Sequence, residues 1–204
     1  MIDDSLSFSP VQKYKSVCVY CGSSNKAAPV YKDAAISMGR IIGQSGMSLV
    51  YGGGSVGLMG LTADNALKAG GKVIGIIPEH IQEREVGNPD LTELYVVDSM
   101  HARKQMMVDY SDAFIVLPGG VGTLDEFFEI ITWWQLGLHD KPIILVNINN
   151  YWDALIEVLG AMVREHFLRK EDKACIQVVS GPDDVLDALA KAPTAHLDPQ
   201  TKWI

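Results

Sequence analysis

Residues 112–126, DAFIVLPGGVGTLDE, join a predicted strand to a predicted helix. The apolar run at 112–117 is typical of a buried strand, and the apolar residues from Phe127 to Trp134 recur at helical spacing. The glycines Gly119, Gly120 and Gly122 lie where the helix begins, so the turn carries almost no side chains. Such a turn brings backbone N–H groups close to a ligand, and a helix N-terminus attracts a phosphate. The stretch therefore predicts a strand-turn-helix unit that binds a phosphate.

The same residues allow an interpretation without a ligand. Thr123 and Glu126 form the T-x-x-E pattern of a capping box, which satisfies two backbone N–H groups at a helix start. A cap needs no glycine, however, and each glycine costs roughly 0.5–1 kcal/mol relative to alanine. The glycines therefore favour close approach of the backbone to a phosphate, and Glu126, one turn into the helix, would face whatever the phosphate carries.

Strands and helices alternate along the rest of the chain. Apolar runs predict strands near 16–21, 47–51, 72–77, 94–97, 112–117, 142–148 and 176–180. Helical patterns lie near 30–44, 58–68, 101–110, 152–165 and 183–190, besides the helix after the glycine turn. This order predicts an α/β fold, a doubly wound, mostly parallel sheet with helices on both faces, which is Rossmann-like. We expect one domain over residues 1–204, with a core at about 15–190 and polar extensions at both ends.

Composition excludes several classes of function. The chain of 204 residues is 48% hydrophobic and 21% charged, which is ordinary for a globular domain. Its net charge of −8 argues against a nucleic-acid surface but permits a local anion pocket. No apolar run reaches the roughly 20 residues that span a bilayer, and the polar first residues do not resemble a signal peptide. We therefore expect no membrane partner and a cytoplasmic location.

The cysteines and histidines predict neither a disulfide framework nor a metal site. Cys18 and Cys21 form a C-x-x-C pattern inside a predicted strand, where residues three apart point to opposite faces. The five histidines never fall at the paired spacing of metal ligands. No metal and no cofactor are expected.

Three loops that follow predicted strands contain glycine or small polar residues: 21–25 (CGSSN), 51–54 (YGGG) and 118–120 (PGG). In an open parallel sheet, ligands bind beyond the carboxyl ends of the strands. We therefore expect the loops to converge on one crevice, with Gly22, Ser23, Gly53 and Gly54 near the ligand.

Residues 52–57, GGGSVG, match the dinucleotide fingerprint G-x-G-x-x-G, and Glu79 follows at a suitable distance. An NAD-dependent oxidoreductase is therefore a second hypothesis. It ranks lower because the match follows the second strand and leaves the glycine turn at 119–122 without a role. Gly57 and Gly60 could also serve close packing of a helix against the sheet.

Arg103 is the first candidate for chemistry outside the glycine turn. It lies with Lys104 at the start of a predicted helix, where Asp98 or Ser99 would be the cap. Two cations there oppose the helix dipole at roughly 0.3–1 kcal/mol each, and an anion beyond the helix end would remove that cost. The planar guanidinium suits an oxyanion. A solvated basic face or an ion pair with Asp98 is the alternative.

Five motifs together resemble the LOG ("lonely guy") family of cytokinin riboside 5′-monophosphate phosphoribohydrolases. They are CGSS (21–24), YGGGSVGLMG (51–60), MHARK (100–104), LPGGVGTLDE (117–126) and TWWQLGLHDKP (132–142), and the similarity covers about residues 15–190. The resemblance implies a homodimer that hydrolyses the N-glycosidic bond of an adenine-type nucleoside 5′-monophosphate. The products would be the free base and ribose 5-phosphate.

The resemblance also implies site residues. Arg103 and Glu126 would be the catalytic pair. Substrate contacts would come from the glycine turn and flanking positions, namely Glu85, Lys104, Gly119, Gly120, Val121, Gly122, Thr123, Leu124, Asp125 and Thr132.

The chemistry of the reaction suits these residues. Cleavage of a ribosyl–N bond develops positive charge on the sugar and negative charge on the purine. Glu126 could stabilise that sugar cation or deprotonate the attacking water, and Arg103 would keep Glu126 ionised. The glycine turn would anchor the phosphate and so orient the reacting centre.

Other interpretations remain open. Family members have been labelled lysine decarboxylases, but no lysine here is marked as a pyridoxal phosphate site, since Lys104 adjoins Arg103 at a helix start. A non-catalytic nucleotide carrier or sensor would use the same crevice. The base, adenine or an N6-prenylated adenine, depends on pocket shape, and Met100, Met107 and Trp133 are candidates to line it.

Overall fold

The computed structural model of the protein describes residues 13–82, 88 and 90–193. Within these residues, seven parallel strands form one sheet in the order β4-β3-β2-β1-β5-β6-β7. The strands are β1 (Ser16–Tyr20), β2 (Ser48–Tyr51), β3 (Val73–Pro78), β4 (Glu93–Val97), β5 (Ala113–Val116), β6 (Ile143–Val146) and β7 (Ile176–Val179). The predicted doubly wound parallel sheet is confirmed.

Eight α-helices connect and cover these strands in the part of the chain that the structure describes. They are α1 (Pro29–Ser45), α2 (Gly57–Lys68), α3 (Glu79–Gln82), α4 (Met100–Asp109), α5 (Val121–Gln135), α6 (Asp153–Arg164), α7 (Lys170–Lys173) and α8 (Val185–Lys191). The sequence predicted all of them except α3 and α7. Those two have four residues each, which is too short for a periodic apolar pattern.

The two faces of the sheet are covered by different helices. Val17 and Val19 of β1 pack in a core with α1, α2 and α8, whereas Cys18 and Tyr20 pack in a second core with α4, α5 and α6. This alternation is the period of two expected for a strand. Cys21 belongs to the first core and Cys18 to the second, so the C-x-x-C pattern brings no two thiols together.

The chain order places a crevice at the centre of the sheet. The strands run outward from β1 to β4 on one side, and the chain then returns to add β5, β6 and β7 on the other. The loops after β1 and β5 therefore leave in opposite directions. Open α/β sheets bind ligands in the crevice between two such loops. The two loops touch, since the Gly22 N–H donates to the Pro118 carbonyl at 3.1 Å.

Candidate active site

A cavity of about 320 Å³ lies beyond the carboxyl ends of the central strands. It brings together the predicted catalytic pair, part of the glycine turn and the loop after β1. Its lining is Cys21, Gly22, Ser23, Met59, Ile81, Met100, Arg103, Gly120, Val121, Gly122, Thr123 and Glu126.

The N-terminus of α5 opens into this cavity without a cap. Gly120 is the N-cap residue and no side chain bonds the first turn. Among the described residues, the N–H groups of Val121, Gly122 and Thr123 have no protein acceptor. They form a cluster of donors at the positive end of the helix dipole, which suits a phosphate.

The alternative capping box does not form. Thr123 is the third residue inside α5, not its N-cap, and the Glu126 carboxylate turns to Arg103 instead of the helix start. Thr123 instead packs on the turn, where a methyl group added to Gly119 would overlap its hydroxyl and lie 2.9 Å from the Gly22 nitrogen. Gly119 is therefore needed for close approach of the two loops.

Arg103 and Glu126 form a largely buried ion pair. Arg103 Nη1 lies 3.3 Å from Glu126 Oε1, and the two side chains are 13% and 11% exposed. Ser99 caps α4 by accepting the Ala102 N–H at 3.1 Å, which places Arg103 in the first turn as predicted. Among the described residues, Arg103 pairs with Glu126 and not with Asp98, the alternative partner.

Burial raises the pKa of Glu126 from 4.5 to about 7. The charge of Arg103 pulls the pKa down, as the sequence predicted, but removal from water has the larger effect and Asp125 adds to the rise. The expectation that Arg103 keeps Glu126 ionised is therefore corrected: the carboxyl titrates near neutral pH. Such a pKa is typical of a group that exchanges protons during catalysis.

Lys104 does not line the cavity. Its ammonium lies 3.2 Å from Asp125 and 3.0 Å from Glu129, both on α5. Burial lowers the pKa of Lys104, but the hydrogen bonds that its ammonium donates to Glu129 and Asp125 outweigh that effect and raise the pKa. A charged ammonium held by two carboxylates does not favour the aldimine that a pyridoxal phosphate enzyme requires.

Several other predicted contacts do not line this cavity. Gly119 lines a neighbouring cavity of about 390 Å³, which also contains Tyr31 and Tyr151. Leu124 packs against the core, and Thr132 is exposed and donates its hydroxyl to the Phe128 carbonyl at 2.8 Å. Gly53, Gly54 and Asp125 are also absent from the lining. Glu85 lies outside the described residues.

The dinucleotide fingerprint has a packing role. The Gly57 N–H donates to Asn25 Oδ1 at 2.8 Å, and the Leu58 N–H donates to the Gly22 carbonyl at 2.9 Å. Gly57 has a positive φ of 62° and packs on the backbone of Ser23. The loop after β1 thus occupies the donors at the start of α2, and a pyrophosphate would find these two amides already bonded.

Apolar side chains also line the cavity. Met59, Ile81 and Met100 contribute to the lining, whereas Met107 is buried in the core and Trp133 packs against that core. Sequence reasoning found Met100 but missed Ile81, because α3 is too short to predict. Met59 was missed because its apolar position in α2 is equally typical of a core residue.

The described residues contain no group of three or more His, Cys, Asp or Glu side chains placed to hold a metal ion. In the same residues, no helix combines the length and apolar character needed to cross a membrane.

Solved structures show the same fold at low sequence identity. A molybdenum cofactor binding protein from Rippkaea orientalis superposes with a TM-score of 0.66 at 24% identity, covering 88% of this chain and 98% of that one. The molybdenum cofactor carrier protein of Chlamydomonas reinhardtii gives a TM-score of 0.66 at 19% identity, covering 86% and 95%. These similarities establish the fold alone.

Sequence relatives are closer. A family model described as "Possible lysine decarboxylase" matches residues 59–189. A cytokinin riboside 5′-monophosphate phosphoribohydrolase of Arabidopsis thaliana is 47% identical over 156 residues, covering 76% of this chain and 73% of the relative. The rice (Oryza sativa subsp. japonica) LOG enzyme of the same name is 42% identical over 170 residues, covering 83% and 69%. Together with the five motifs, these matches show that the chain belongs to the LOG family.

Proposed function

We propose that the protein hydrolyses the N-glycosidic bond of cytokinin or adenine nucleoside 5′-monophosphates, releasing the free base and ribose 5-phosphate. The observation that carries this proposal is the buried Arg103–Glu126 pair facing the uncapped N-terminus of α5 in one cavity. Relatives 42% and 47% identical to this chain are named for the same reaction.

The glycine turn would hold the 5′-phosphate. The free N–H groups of Val121, Gly122 and Thr123 can each donate to a phosphate oxygen. The phosphate does not react, so its binding energy serves to fix the ribose in the cavity. Glu126 follows one turn deeper in the same helix, and the sugar of an anchored nucleotide would therefore approach its carboxylate.

Glu126 would act on the sugar or on the attacking water. As the bond between C1′ and the base nitrogen breaks, its electron pair leaves with the base and positive charge develops at C1′. An ionised Glu126 stabilises that charge, and it can also take a proton from the water that adds to C1′. The proton taken from the water is then transferred to the nitrogen of the released base. Arg103 offsets part of the cost of the buried carboxylate.

We further propose a homodimer in the cytoplasm. Apolar side chains remain exposed at the cavity rim and past the end of α5, with Val121 84% and Leu138 66% exposed. All three cysteines are buried and free, which suits a reducing compartment. Light scattering after size exclusion should give twice the chain mass of 22.3 kDa. A particle of a single chain's mass would refute the dimer.

The activity is tested by measuring base release from AMP and from isopentenyladenosine monophosphate side by side. Glu126→Gln and Arg103→Ala should each lower turnover by roughly 10²–10⁴-fold, because each removes one partner of the reacting pair. Glu157→Gln is the matched control, since Glu157 is an exposed partner of Arg164 and should leave turnover unchanged.

Circular dichroism should show the same fold in all variants. Near-normal turnover by either Glu126→Gln or Arg103→Ala would overturn the assignment. Tight binding of AMP by the wild-type protein without base release would instead support a nucleotide carrier or sensor.

A further inference from the structure

We infer that Gly52, in the loop after β2, is a positioning residue for Arg103: the missing side chain leaves the space that the guanidinium occupies beside Glu126. The catalytic consequence rests on the proposed hydrolysis, whereas the geometric consequence can be measured without any turnover.

The guanidinium lies directly against the backbone of Gly52. A methyl group added at Gly52 would overlap Arg103 Nη2 and lie 3.1 Å from its Cζ. The next nearest atom is Met59 Sδ at 3.5 Å, which is an ordinary van der Waals contact. An alanine at this position would therefore compete with the guanidinium and with no other group nearby.

Arg103 is held from three directions. Its Nε donates to the Ile76 carbonyl of β3 at 3.2 Å, its Nη1 meets Glu126 of α5 at 3.3 Å, and its Nη2 faces Gly52. These contacts use the planar shape of the guanidinium, which can bind several partners in fixed directions. The space at Gly52 thus helps to position the Arg103 guanidinium beside Glu126.

Backbone conformation does not explain the glycine. Gly52 is not among the residues with positive φ, whereas its neighbour Gly53 has a φ of 78°. An alanine at 52 is therefore compatible with the backbone, and the overlap falls on the far end of a flexible side chain. The loop would keep its course and Arg103 would move, so the protein should fold with a displaced guanidinium.

Gly52→Ala tests the inference, with Gly181→Ala as the matched control. Gly181 has an extended backbone with a φ of −163°, and an added methyl meets nothing within 4 Å. We expect Gly52→Ala to lower kcat for base release by roughly 10- to 100-fold, as misplacement of a reacting group by about 1 Å does. The control should keep wild-type kcat and KM.

A second readout reports on the geometry alone. The carboxyl pKa of Glu126, followed by NMR of the labelled side chain, responds to Arg103, Asp125, Lys104 and Glu129. The positive charge of Arg103 lowers the pKa of Glu126, and displacement of Arg103 weakens that effect. The pKa of Glu126 should therefore rise in Gly52→Ala and stay constant in Gly181→Ala.

A double variant separates this inference from a general structural effect. In an Arg103→Ala background, adding Gly52→Ala should leave the pKa of Glu126 unchanged, because the group through which Gly52 acts is gone. A wild-type pKa and kcat in the single variant, or a further pKa shift in the double variant, would overturn the inference. Failure of the wild-type protein to release base would refute the proposed activity but leave the pKa experiment decisive.

Discussion

Glu126 is subject to two opposing effects on its pKa, and burial is the larger. Sequence motifs identified Glu126 and Arg103, because both residues sit in patterns specific to the family. The balance between desolvation and the Arg103 charge depends on how much water reaches the carboxyl, and no local pattern records that. Nor did the sequence reveal Gly52, whose contact with Arg103 joins positions 51 residues apart.

The raised pKa predicts a stability that depends on pH. Between pH 4.5 and about 7 the native state holds a proton on Glu126 that the unfolded chain has lost. The free energy of unfolding should therefore fall as pH rises through this window, by about 3 kcal/mol in total for that one group. Urea unfolding at several pH values measures the slope, and Glu126→Gln should lack this contribution. Equal slopes in both proteins would contradict the raised pKa.

The same group predicts an acid limb in the rate profile. Both roles proposed for Glu126 require the ionised form, so kcat/KM should fall as pH drops below about 7. The second pKa of the substrate phosphate lies near 6, below that of Glu126. The fall in rate caused by the phosphate can therefore be distinguished from the fall caused by Glu126. Initial rates of base release between pH 5.5 and 9 give the profile. A kcat/KM that stays constant down to pH 6 would show that Glu126 is not the titrating group.

At the level of elements, three ion pairs join α4 to α5. Arg103 meets Glu126, and Lys104 meets Asp125 and Glu129, so neighbouring residues of one helix engage neighbouring residues of the other. Arg103 and Glu126 line the cavity, whereas Lys104 and its two partners are absent from the lining. We expect Lys104 to stabilise the contact between the two helices.

Removal of Lys104 should destabilise the protein. Lys104→Met would leave Glu129, 21% exposed, without its cation, and we expect a loss of roughly 1–3 kcal/mol in the free energy of unfolding. Lys191→Met is the control, because Lys191 and Asp187 are 72% and 68% exposed and such pairs contribute about 0.5 kcal/mol or less. Urea midpoints compare the two variants. Equal, small losses would show that Lys104 does not hold the helices together.

The elements themselves could be predicted from the sequence to within one or two residues at most ends. β5 and β6 are continuous apolar runs, and α5 repeats apolar residues at helical spacing, so each carries its own signal. α3 and α7 could not be predicted because one turn of helix shows no period. The orientation of Lys104 toward α5 was also beyond the sequence, since it depends on how α4 packs.

For the whole molecule, strand order brings distant motifs together. β1 lies between β2 and β5, so the loop at Gly22 meets the turn at Pro118 although 96 residues separate them. The alternation of strands and helices predicted a parallel sheet and a crevice beyond its carboxyl ends, but periodicity contains no information about strand order. The structure supplies that order and thereby the single cavity shared by Gly22, Arg103 and Glu126.

We expect this cavity to hydrolyse a ribosyl–N bond, and analysis of the products tests this most directly. The wild-type protein should convert AMP or isopentenyladenosine monophosphate into equal amounts of free base and ribose 5-phosphate. Mass spectrometry should identify both products, and Glu126→Gln should form them roughly 10²–10⁴-fold more slowly. Intact nucleotide after prolonged incubation with folded wild-type protein would contradict the account.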